Sequence, residues 1–257
     1  MRALITGTGS YVPEKVLTNQ DFEKYLDTTD EWIVARTGIR ERHIAAEGEN
    51  TSDLCVLAAR NAIDMAGIKA EDIDLIIVAT ITGDYPWPAT ACIVQDKIGA
   101  KQCGAYDISA ACSGFIYALN NAVAQIESGA IQRALVIGAE TLSRIVDYDD
   151  RNTCLLFGDA AGAVVLEARE GERGILSSHL HADGSYLELL YQPGFGSAVI
   201  PTEQGVRDRG YFLKMQGNEV FKVAVKMLAE VAQEALEAND MTIDDIALLI
   251  PHQANIR

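Results

Sequence analysis

The sequence predicts an α/β protein in which short apolar strands alternate with amphipathic helices. Four runs rich in Val, Ile and Leu have the composition of strands buried on both faces, namely 75–81, 134–140, 162–168 and 246–252. Between them lie stretches whose apolar residues recur with helical spacing. A chain of 257 residues that is 49% hydrophobic can bury a substantial core.

The predicted helices begin and end at recognisable signals. A short helix is expected to begin at Thr28, because Thr28-x-x-Glu31 fits a capping box, and to end at Gly38. The helical patterns over 51–67 and 114–129 each end at a glycine, which suits the left-handed C-terminal position. Residues 218–239 form a long amphipathic pattern, whereas 183–210 is rich in Gly, Pro and charge and is typical of a loop.

Charge and composition exclude several classes of protein. The 37 acidic and 21 basic residues give a net charge of −16, which argues against non-specific binding to nucleic acid. No run approaches the ~20 apolar residues of a membrane span, and the N-terminus has no signal-peptide pattern, so we expect a cytoplasmic protein. The five cysteines are odd in number and include no CxxC, which does not fit a disulfide framework.

A weak internal repeat divides the chain. Asp72-Ile-Asp-Leu-Ile-Ile-Val78 shares four of seven residues with Asp245-Ile-Ala-Leu-Leu-Ile-Pro251. Each copy follows an amphipathic helix and a short acidic turn. Such units recur by chance, but the repeat also fits a duplicated α/β layer, in which case the second half is expected to be unfinished at residue 257.

Cys112 is the first candidate for chemistry. It lies between a strand-like run and a helical pattern, and its small neighbours allow a sharp turn. At the N-terminus of a helix, the dipole and free N–H groups favour a thiolate, so the pKa of this thiol is expected to be lowered. A buried structural cysteine is the alternative, and we apply that alternative to the other four cysteines, Cys55, Cys92, Cys103 and Cys154.

His252 is the second candidate. It directly follows the apolar run that begins at residue 246, and α/β folds place active sites at the carboxyl ends of strands. A cysteine followed by a histidine is compatible with a nucleophile and its base. From the residues alone, a histidine satisfied within the core is the alternative.

Two further patterns carry less weight. Gly7-Thr-Gly-Ser-Tyr-Val12 begins like a dinucleotide fingerprint but lacks its last glycine. His179, His181 and Asp183 have a metal-like spacing without an evident fourth ligand. From these patterns we predict neither a dinucleotide site nor a metal site.

Seven segments together resemble the β-ketoacyl-acyl-carrier-protein synthase III family. In order, they cover residues 7–19, 30–45, 107–119, 157–166, 179–186, 215–225 and 251–257, and the last reads Pro-His-Gln-Ala-Asn-Ile-Arg. The resemblance implies a thiolase-like, duplicated αβαβα layered fold, usually a homodimer. Residues 1–170 would form the N-terminal half, and residues 171–257 the start of an incomplete C-terminal half.

The resemblance also implies a reaction. Cys112 would accept an acyl group, typically acetyl, from acetyl-coenzyme A. Malonyl-acyl-carrier protein would then lose carbon dioxide, and its carbanion would attack the acyl-enzyme. His252 would donate a hydrogen bond to the malonyl thioester oxygen and stabilise the developing enolate. No cofactor is implied, since acyl-coenzyme A is a substrate.

Binding residues follow from the same resemblance. Trp32 and Arg151 would enclose the adenine of coenzyme A, Arg36 would pair with phosphate, and Asn218 and Asn255 would bind the pantetheine arm. The remaining implied residues are an acyl-pocket gate that reaches across the dimer, Trp87, and a carrier-protein surface that includes Lys222, Gln253, Ala254, Asn255, Ile256 and Arg257. Lys214 and Lys226 would extend the basic patch that an acidic chain needs for an acidic carrier.

The chain departs from the family pattern in places. The family's His-Gly-Asn-Thr-Ser segment, with its catalytic Asn, and a Gly-rich oxyanion loop do not occur in these 257 residues. A polypeptide ending at Arg257 is therefore expected to be inactive in condensation. Ala160 replaces a usual glycine, which we expect to need only a small backbone adjustment. The alternatives are another thiolase-fold synthase that uses longer acyl groups, and a non-catalytic protein that binds coenzyme A or a carrier.

Overall fold

The computed structural model describes residues 1–194 and 196–256, and its contacts divide the chain into two units. Unit 1 comprises residues 1–15, 43–141 and 159–180, and unit 2 comprises residues 16–42, 142–158 and 181–257. The units are interleaved along the chain. The expected halves, divided at residue 170, follow a different criterion and stay a prediction.

Strands and helices alternate along most of the chain. The strands are β1 (Arg2–Tyr11), β2 (Lys15–Thr18), β3 (Glu41–Ile44), β4 (Leu75–Ala79), β5 (Gly104–Ile108), β6 (Arg133–Thr141), β7 (Asp159–Arg169), β8 (Leu190–Tyr191) and β9 (Lys214–Met215). The helices are α1 (Asn19–Glu23), α2 (Asp30–Thr37), α3 (Thr51–Ala66), α4 (Thr90–Ile98), α5 (Gly114–Glu127), α6 (Arg151–Cys154), α7 (Glu203–Arg207) and α8 (Gly217–Ala238). The loop predicted over 183–210 thus contains the short elements β8 and α7.

Unit 1 is built on a five-stranded mixed sheet with the order β1-β7-β6-β4-β5. β4 runs parallel to β5 and to β6, whereas β7 runs antiparallel to β6 and to β1. The apolar runs predicted at 75–81, 134–140 and 162–168 are confirmed as β4, β6 and β7. The parallel strands β4, β5 and β6 bring their carboxyl ends to the same edge of the sheet.

Helices cover both faces of this sheet. α3 and α4 pack on the face that carries Ile76 and Val78 of β4, while α5 packs on the face that carries Leu75 and Ile77. Successive strand side chains point to opposite faces, so a strand covered on both sides must be apolar throughout. This explains why β4 is fully buried and why its sequence does not alternate.

Two glycines in β1 serve close packing. A Cβ on Gly7 would lie 2.1 Å from the carbonyl oxygen of Ala62, and one on Gly9 would lie 2.2 Å from that of Ala58. Both oxygens belong to α3. The glycine pattern that begins like a dinucleotide fingerprint therefore lets β1 approach α3.

Unit 2 has a small core of its own, between α1, α2 and the segment around α6. Phe22, Ile33, Cys154 and Leu155 are its buried members, together with Val146. The start predicted for α2 is wrong by one residue. The N-cap is Thr29, whose hydroxyl accepts a hydrogen bond from the amide of Trp32 at 3.1 Å. Trp32 is three residues after Thr29, which is the separation that an N-cap hydrogen bond requires. The helix ends at Gly38 with φ of 77°, as predicted.

The strand predicted over 246–252 is wrong. Leu248, Leu249 and Ile250 lie in irregular, exposed structure. A strand needs a hydrogen-bonded neighbour, and none of the residues described in this structure pairs with the segment. The internal repeat is accordingly matched in its preceding helices, α3 and α8, and in its single-turn 3₁₀ helices, Ala70–Asp72 and Ile243–Asp245, but not in the strand that follows. Across the described residues, every helix is too short or too polar to span a bilayer.

Candidate active site

Cys112 lies in the turn between β5 and α5, at the carboxyl edge of the unit 1 sheet. A single-turn 3₁₀ helix over Ala111–Ser113 leads directly into α5. Ala111 has φ of 45°, a left-handed conformation that costs a residue with a Cβ about 1–2 kcal/mol. A Cβ on Gly114 would lie 3.1 Å from the Cβ of Ala79, so the start of α5 lies against the end of β4. The turn is strained and tightly packed, as expected for a positioned nucleophile.

The expected lowering of the Cys112 pKa is wrong. Burial raises the pKa of this thiol above its ordinary value, and the Glu140 carboxylate raises it further. A backbone hydrogen bond acts in the opposite direction without offsetting them. The residue nevertheless keeps an exposed surface, so protein surrounds the thiol on one side while solvent reaches it on the other. The resting form is therefore a thiol that an incoming thioester can reach.

Glu140 is the residue at this edge that the sequence analysis missed. Its carboxylate accepts hydrogen bonds from the amide of Ile81 at 3.0 Å, from the hydroxyl of Thr80 at 3.2 Å and from the hydroxyl of Thr82. Burial raises the pKa of this carboxyl, and these donors partly oppose the rise. The only sequence signal is an acidic residue near the end of an apolar run.

The segment between β4 and α4 is held at both ends. Glu140 anchors its start, and the Asp107 carboxylate accepts from the amides of Thr90 at 2.6 Å and Ala91 at 2.8 Å at its end. Trp87 lies between these two anchored ends, and 83% of its surface is exposed. The candidate gate residue therefore projects from an anchored segment on the same unit as Cys112.

Trp32, Arg36 and Arg151 form one cluster in unit 2. The guanidinium carbon of Arg36 lies 4.1 Å from the centre of the Trp32 ring, and that of Arg151 lies 5.0 Å from it. Arg36 follows Trp32 by one helical turn in α2, while Arg151 begins α6. Arg151 also donates to the carbonyl oxygen of Asp27. The structure thus brings together the three residues expected to bind the nucleotide.

The C-terminal candidates lie in the same unit. The amide of Ile256 donates to the carbonyl oxygen of Thr37 at 3.1 Å, which brings the end of the chain against the C-terminus of α2. Asn255 precedes it and is half-buried, whereas His252 and Asn218 are exposed. Gln253 and Ala254 are exposed as well. Arg257 lies outside the described residues.

The expected basic patch on α8 is partly neutralised. Lys222 forms an ion pair with Glu219 at 2.7 Å, and Lys226 lies 3.7 Å from Glu230. Lys214 instead donates to the carbonyl oxygen of Arg209 at 3.3 Å. A shallow groove on α8 is lined by Tyr186, Lys222, Val223, Lys226, Met227 and Glu230. An acidic partner at this groove would compete with local carboxylates.

Of the four other cysteines, Cys55 and Cys154 fit the alternative of a buried structural cysteine, whereas Cys103 is half-buried and Cys92 is exposed. Cys55 and Cys154 are buried, and burial raises the pKa of both thiols, that of Cys154 to about 11. His181 pairs with Glu234 at 2.6 Å. Within residues 1–194 and 196–256, no group of three or more His, Cys, Asp or Glu side chains is arranged to hold a metal ion.

Comparison with known sequences gives a consistent result. The family model described as 3-oxoacyl-acyl-carrier-protein synthase III matches residues 106–184, which include Cys112. A protein of Xylella fastidiosa strain Temecula1, named β-ketoacyl-acyl-carrier-protein synthase III, is 55% identical over 260 residues. That alignment covers 99% of this chain and 77% of the relative.

Solved structures agree with the sequences. The crystal structure of 3-oxoacyl-acyl-carrier-protein synthase III from Aquifex aeolicus superposes with a TM-score of 0.91 at 47% identity, covering 99% of this chain and 77% of that one. A priming β-ketosynthase from the R1128 polyketide pathway superposes with a TM-score of 0.88 at 35% identity, covering 99% and 75%. Condensing enzymes of both kinds therefore share this fold.

Proposed function

The chain belongs to the β-ketoacyl-acyl-carrier-protein synthase III family, and from this premise we propose which of its residues carry out the family's reaction. Its fold is the thiolase-like fold that the sequence predicted. The enzyme is an acyltransferase that condenses malonyl-acyl-carrier protein with an acyl-coenzyme A and so initiates type II fatty acid synthesis. The products are a β-ketoacyl-carrier protein, coenzyme A and carbon dioxide.

In this proposal Cys112 is the nucleophile that receives the acyl group. Its sulfur attacks the thioester carbonyl, the bond to coenzyme A breaks, and the coenzyme leaves as a thiol. The observation that carries the assignment is the strained turn at Ala111, which presents Cys112 at the carboxyl edge of the sheet. Because the pKa of the thiol is raised, acylation should become faster as pH increases. The thiol itself supplies the covalent chemistry, so no cofactor is required.

Coenzyme A is proposed to bind at the cluster of Trp32, Arg36 and Arg151. An aromatic ring flanked by two guanidinium groups offers stacking to a base and positive charge to phosphates. Asn218 and Asn255 would serve the pantetheine arm, which needs amide and carbonyl partners. The hydrogen bond between Ile256 and Thr37 supports this assignment for Asn255, since it holds the preceding residue near α2.

His252 is proposed to act in the second half-reaction. A ring N–H that donates to the malonyl thioester oxygen stabilises the enolate formed when carbon dioxide leaves. The motif Pro251-His-Gln-Ala-Asn-Ile-Arg257 supports this role. The malonyl-carrier protein would approach along Lys222, Gln253, Ala254, Asn255, Ile256 and Arg257.

The enzyme is proposed to be a homodimer, with Trp87 of one copy closing the acyl pocket of the other. Two observations support this assembly. β5 is the edge strand of the unit 1 sheet, and an open edge invites pairing. Trp87 is also 83% exposed, and aromatic residues are enriched at protein interfaces.

Separate assays of the two half-reactions test the proposed roles. Cys112→Ala should abolish acyl transfer from acetyl-coenzyme A. In a polypeptide that also carries the family's His-Gly-Asn-Thr-Ser segment, His252→Ala should still acylate Cys112 but lose condensation by about 10²–10³-fold, measured as release of carbon dioxide from the malonyl-carrier. Condensation at the wild-type rate in His252→Ala would overturn the role of His252, and acyl transfer in Cys112→Ala would overturn the nucleophile.

A further inference from the structure

Unit 2 buries a guanidinium group that pairs with no carboxylate among the described residues. Arg42 of β3 is 3% exposed and lies with its guanidinium carbon 5.0 Å from the centre of the Phe22 ring. Within the described part of the chain it forms no ion pair. Burial lowers the pKa of this side chain to about 10, so it stays charged at neutral pH. Burying a charge is costly, so its hydrogen bonds must compensate.

Those hydrogen bonds connect separate pieces of chain. Nε of Arg42 donates to the carbonyl oxygen of Leu155 at 2.9 Å, and Nη2 donates to the same oxygen. Nη1 donates to Oδ1 of Asn19 at 2.5 Å. Asn19 is itself fully buried, and its Nδ2 donates to Oδ1 of Asp30 at 2.7 Å and to the carbonyl oxygen of Ile39 at 2.9 Å.

The connected pieces are the two helices of the nucleotide cluster. Asp30 is the first residue of α2, and Ile39 directly follows Gly38, which ends it. Leu155 is the C-cap of α6. Through Arg42 and Asn19, both ends of α2 are therefore tied to the end of α6. α2 carries Trp32 and Arg36, and α6 begins with Arg151.

We propose that Arg42 is a positioning residue that sets the spacing between Trp32 and Arg151, and with it the affinity for the nucleotide end of coenzyme A. The inference rests on the proposed coenzyme site. A planar guanidinium that binds two acceptors in fixed directions holds them more rigidly than a flexible ammonium would.

The spacing matters because the cluster is closed. A base stacked between two planes needs about 7 Å between them, since each contact takes roughly 3.5 Å. Arg151 lies 5.0 Å from the Trp32 ring, so the gap must widen by about 2 Å to admit adenine. Arg42 binds the far end of α6, at Leu155. It therefore holds the backbone of α6, and the gap widens when the side chain of Arg151 leaves the carbonyl oxygen of Asp27.

Two readouts distinguish positioning from general stability. The first is the dissociation constant of coenzyme A, measured by titration calorimetry. The second is the rate at which acetyl-N-acetylcysteamine, a thioester without a nucleotide, acylates Cys112. In Arg42→Lys the affinity for coenzyme A should fall by about tenfold or more, while acylation by the short donor stays at the wild-type rate. Arg40→Lys is the matched control, because Arg40 is exposed and should leave both values unchanged.

Asn19→Ser supplies a second variant if Arg42→Lys does not fold. It removes the link to α2 but leaves Arg42 bonded to Leu155, and it should weaken coenzyme A binding in the same direction. Unchanged coenzyme A affinity in folded Arg42→Lys would overturn the inference. A parallel fall in both readouts would also overturn it, because Arg42 would then act on the fold in general.

Trp32→Ala separates failure of this inference from failure of the proposed site. If Trp32→Ala binds coenzyme A as tightly as wild type, the nucleotide site is wrong and the role of Arg42 falls with it. If Trp32→Ala binds weakly while Arg42→Lys binds normally, only the role of Arg42 is overturned. Weak binding in both variants, with normal acylation by the short donor, supports the inference.

Discussion

The Cys112 thiol lies at the same edge of the sheet as the carboxylate of Glu140, which belongs to the apolar strand β6. Glu140 lies one residue before the end of the largely buried strand β6, and its charge disfavours the thiolate form of Cys112. Sequence reasoning found the cysteine because small residues and a helix start surround it. It could not find the carboxylate, because the two residues lie far apart in the chain and meet only when parallel strands align.

Replacing Glu140 should make Cys112 more reactive. Glu140→Gln removes a negative charge that raises the thiol pKa, so the pKa of Cys112 should fall. The pH midpoint of alkylation by iodoacetamide, followed at Cys112 by mass spectrometry, should therefore move to lower pH. Loss of an acceptor for Thr82 should also cost about 1–3 kcal/mol of stability.

Glu127→Gln is the control for that substitution. Glu127 pairs with Arg2 at the surface at 3.3 Å, so its removal changes net charge equally without a carboxylate beside Cys112. Its alkylation midpoint should match that of wild type. An unchanged or higher midpoint in Glu140→Gln would contradict the electrostatic account.

At the scale of elements, the buried strands and the long helices were predictable and the unpaired segment was not. β4, β6 and β7 are apolar because both faces of their sheet are covered, and composition reports that directly. Residues 246–252 have the same composition, but composition does not reveal whether a partner strand is present. The ends of α3, α5 and α8 were predicted to within two residues and the cap of α2 one residue early, whereas α1, α4, α6 and α7 were not predicted.

The cap assignment leads to a matched pair of substitutions. Thr29→Ala should destabilise the protein by about 1 kcal/mol, because the amide of Trp32 loses its acceptor. Thr28→Ala should be neutral or slightly stabilising, because the buried hydroxyl of Thr28 finds no hydrogen-bond partner among the described residues. Urea denaturation measures both. If Thr28→Ala lowered the free energy of unfolding more than Thr29→Ala does, Thr28 would be the N-cap, as the sequence predicted.

The contact between β1 and α3 can be tested in the same way. Gly9→Ala should destabilise by about 3 kcal/mol, because the new methyl would lie 2.2 Å from the carbonyl oxygen of Ala58. Gly162→Ala is the control, since a Cβ there meets no other described atom within 4 Å. Equal midpoints of urea denaturation for the two variants would show that β1 and α3 do not pack this closely.

At the scale of the whole molecule, the sequence identified the family, while the structure assigned positions within each unit. The segments around Cys112 and His252 were specific enough to predict the reaction. The buried hydrogen bonds of Glu140 and Arg42 could not be predicted, because their partners lie far away in the chain. Neither belongs to a motif whose spacing can be read from the sequence.

The proposed role of Trp87 would link the molecule's assembly to its substrate range. If this ring closes the acyl pocket of a second copy, acetyl-coenzyme A should be used far better than octanoyl-coenzyme A. Trp87→Ala should raise the ratio of octanoyl to acetyl turnover, whereas Tyr85→Ala, at a neighbouring exposed ring, should not. Equal use of both donors by the wild-type enzyme would contradict the gate.

Acylation of Cys112 tests the central claim most directly. The protein is incubated with acetyl-coenzyme A and digested. The masses of its cysteine-containing peptides are then measured by mass spectrometry. The account predicts one acetyl group per chain, on the peptide that contains Cys112, and none in Cys112→Ala. Acetylation of a different cysteine, or an unmodified Cys112 in a folded sample that binds coenzyme A, would contradict it.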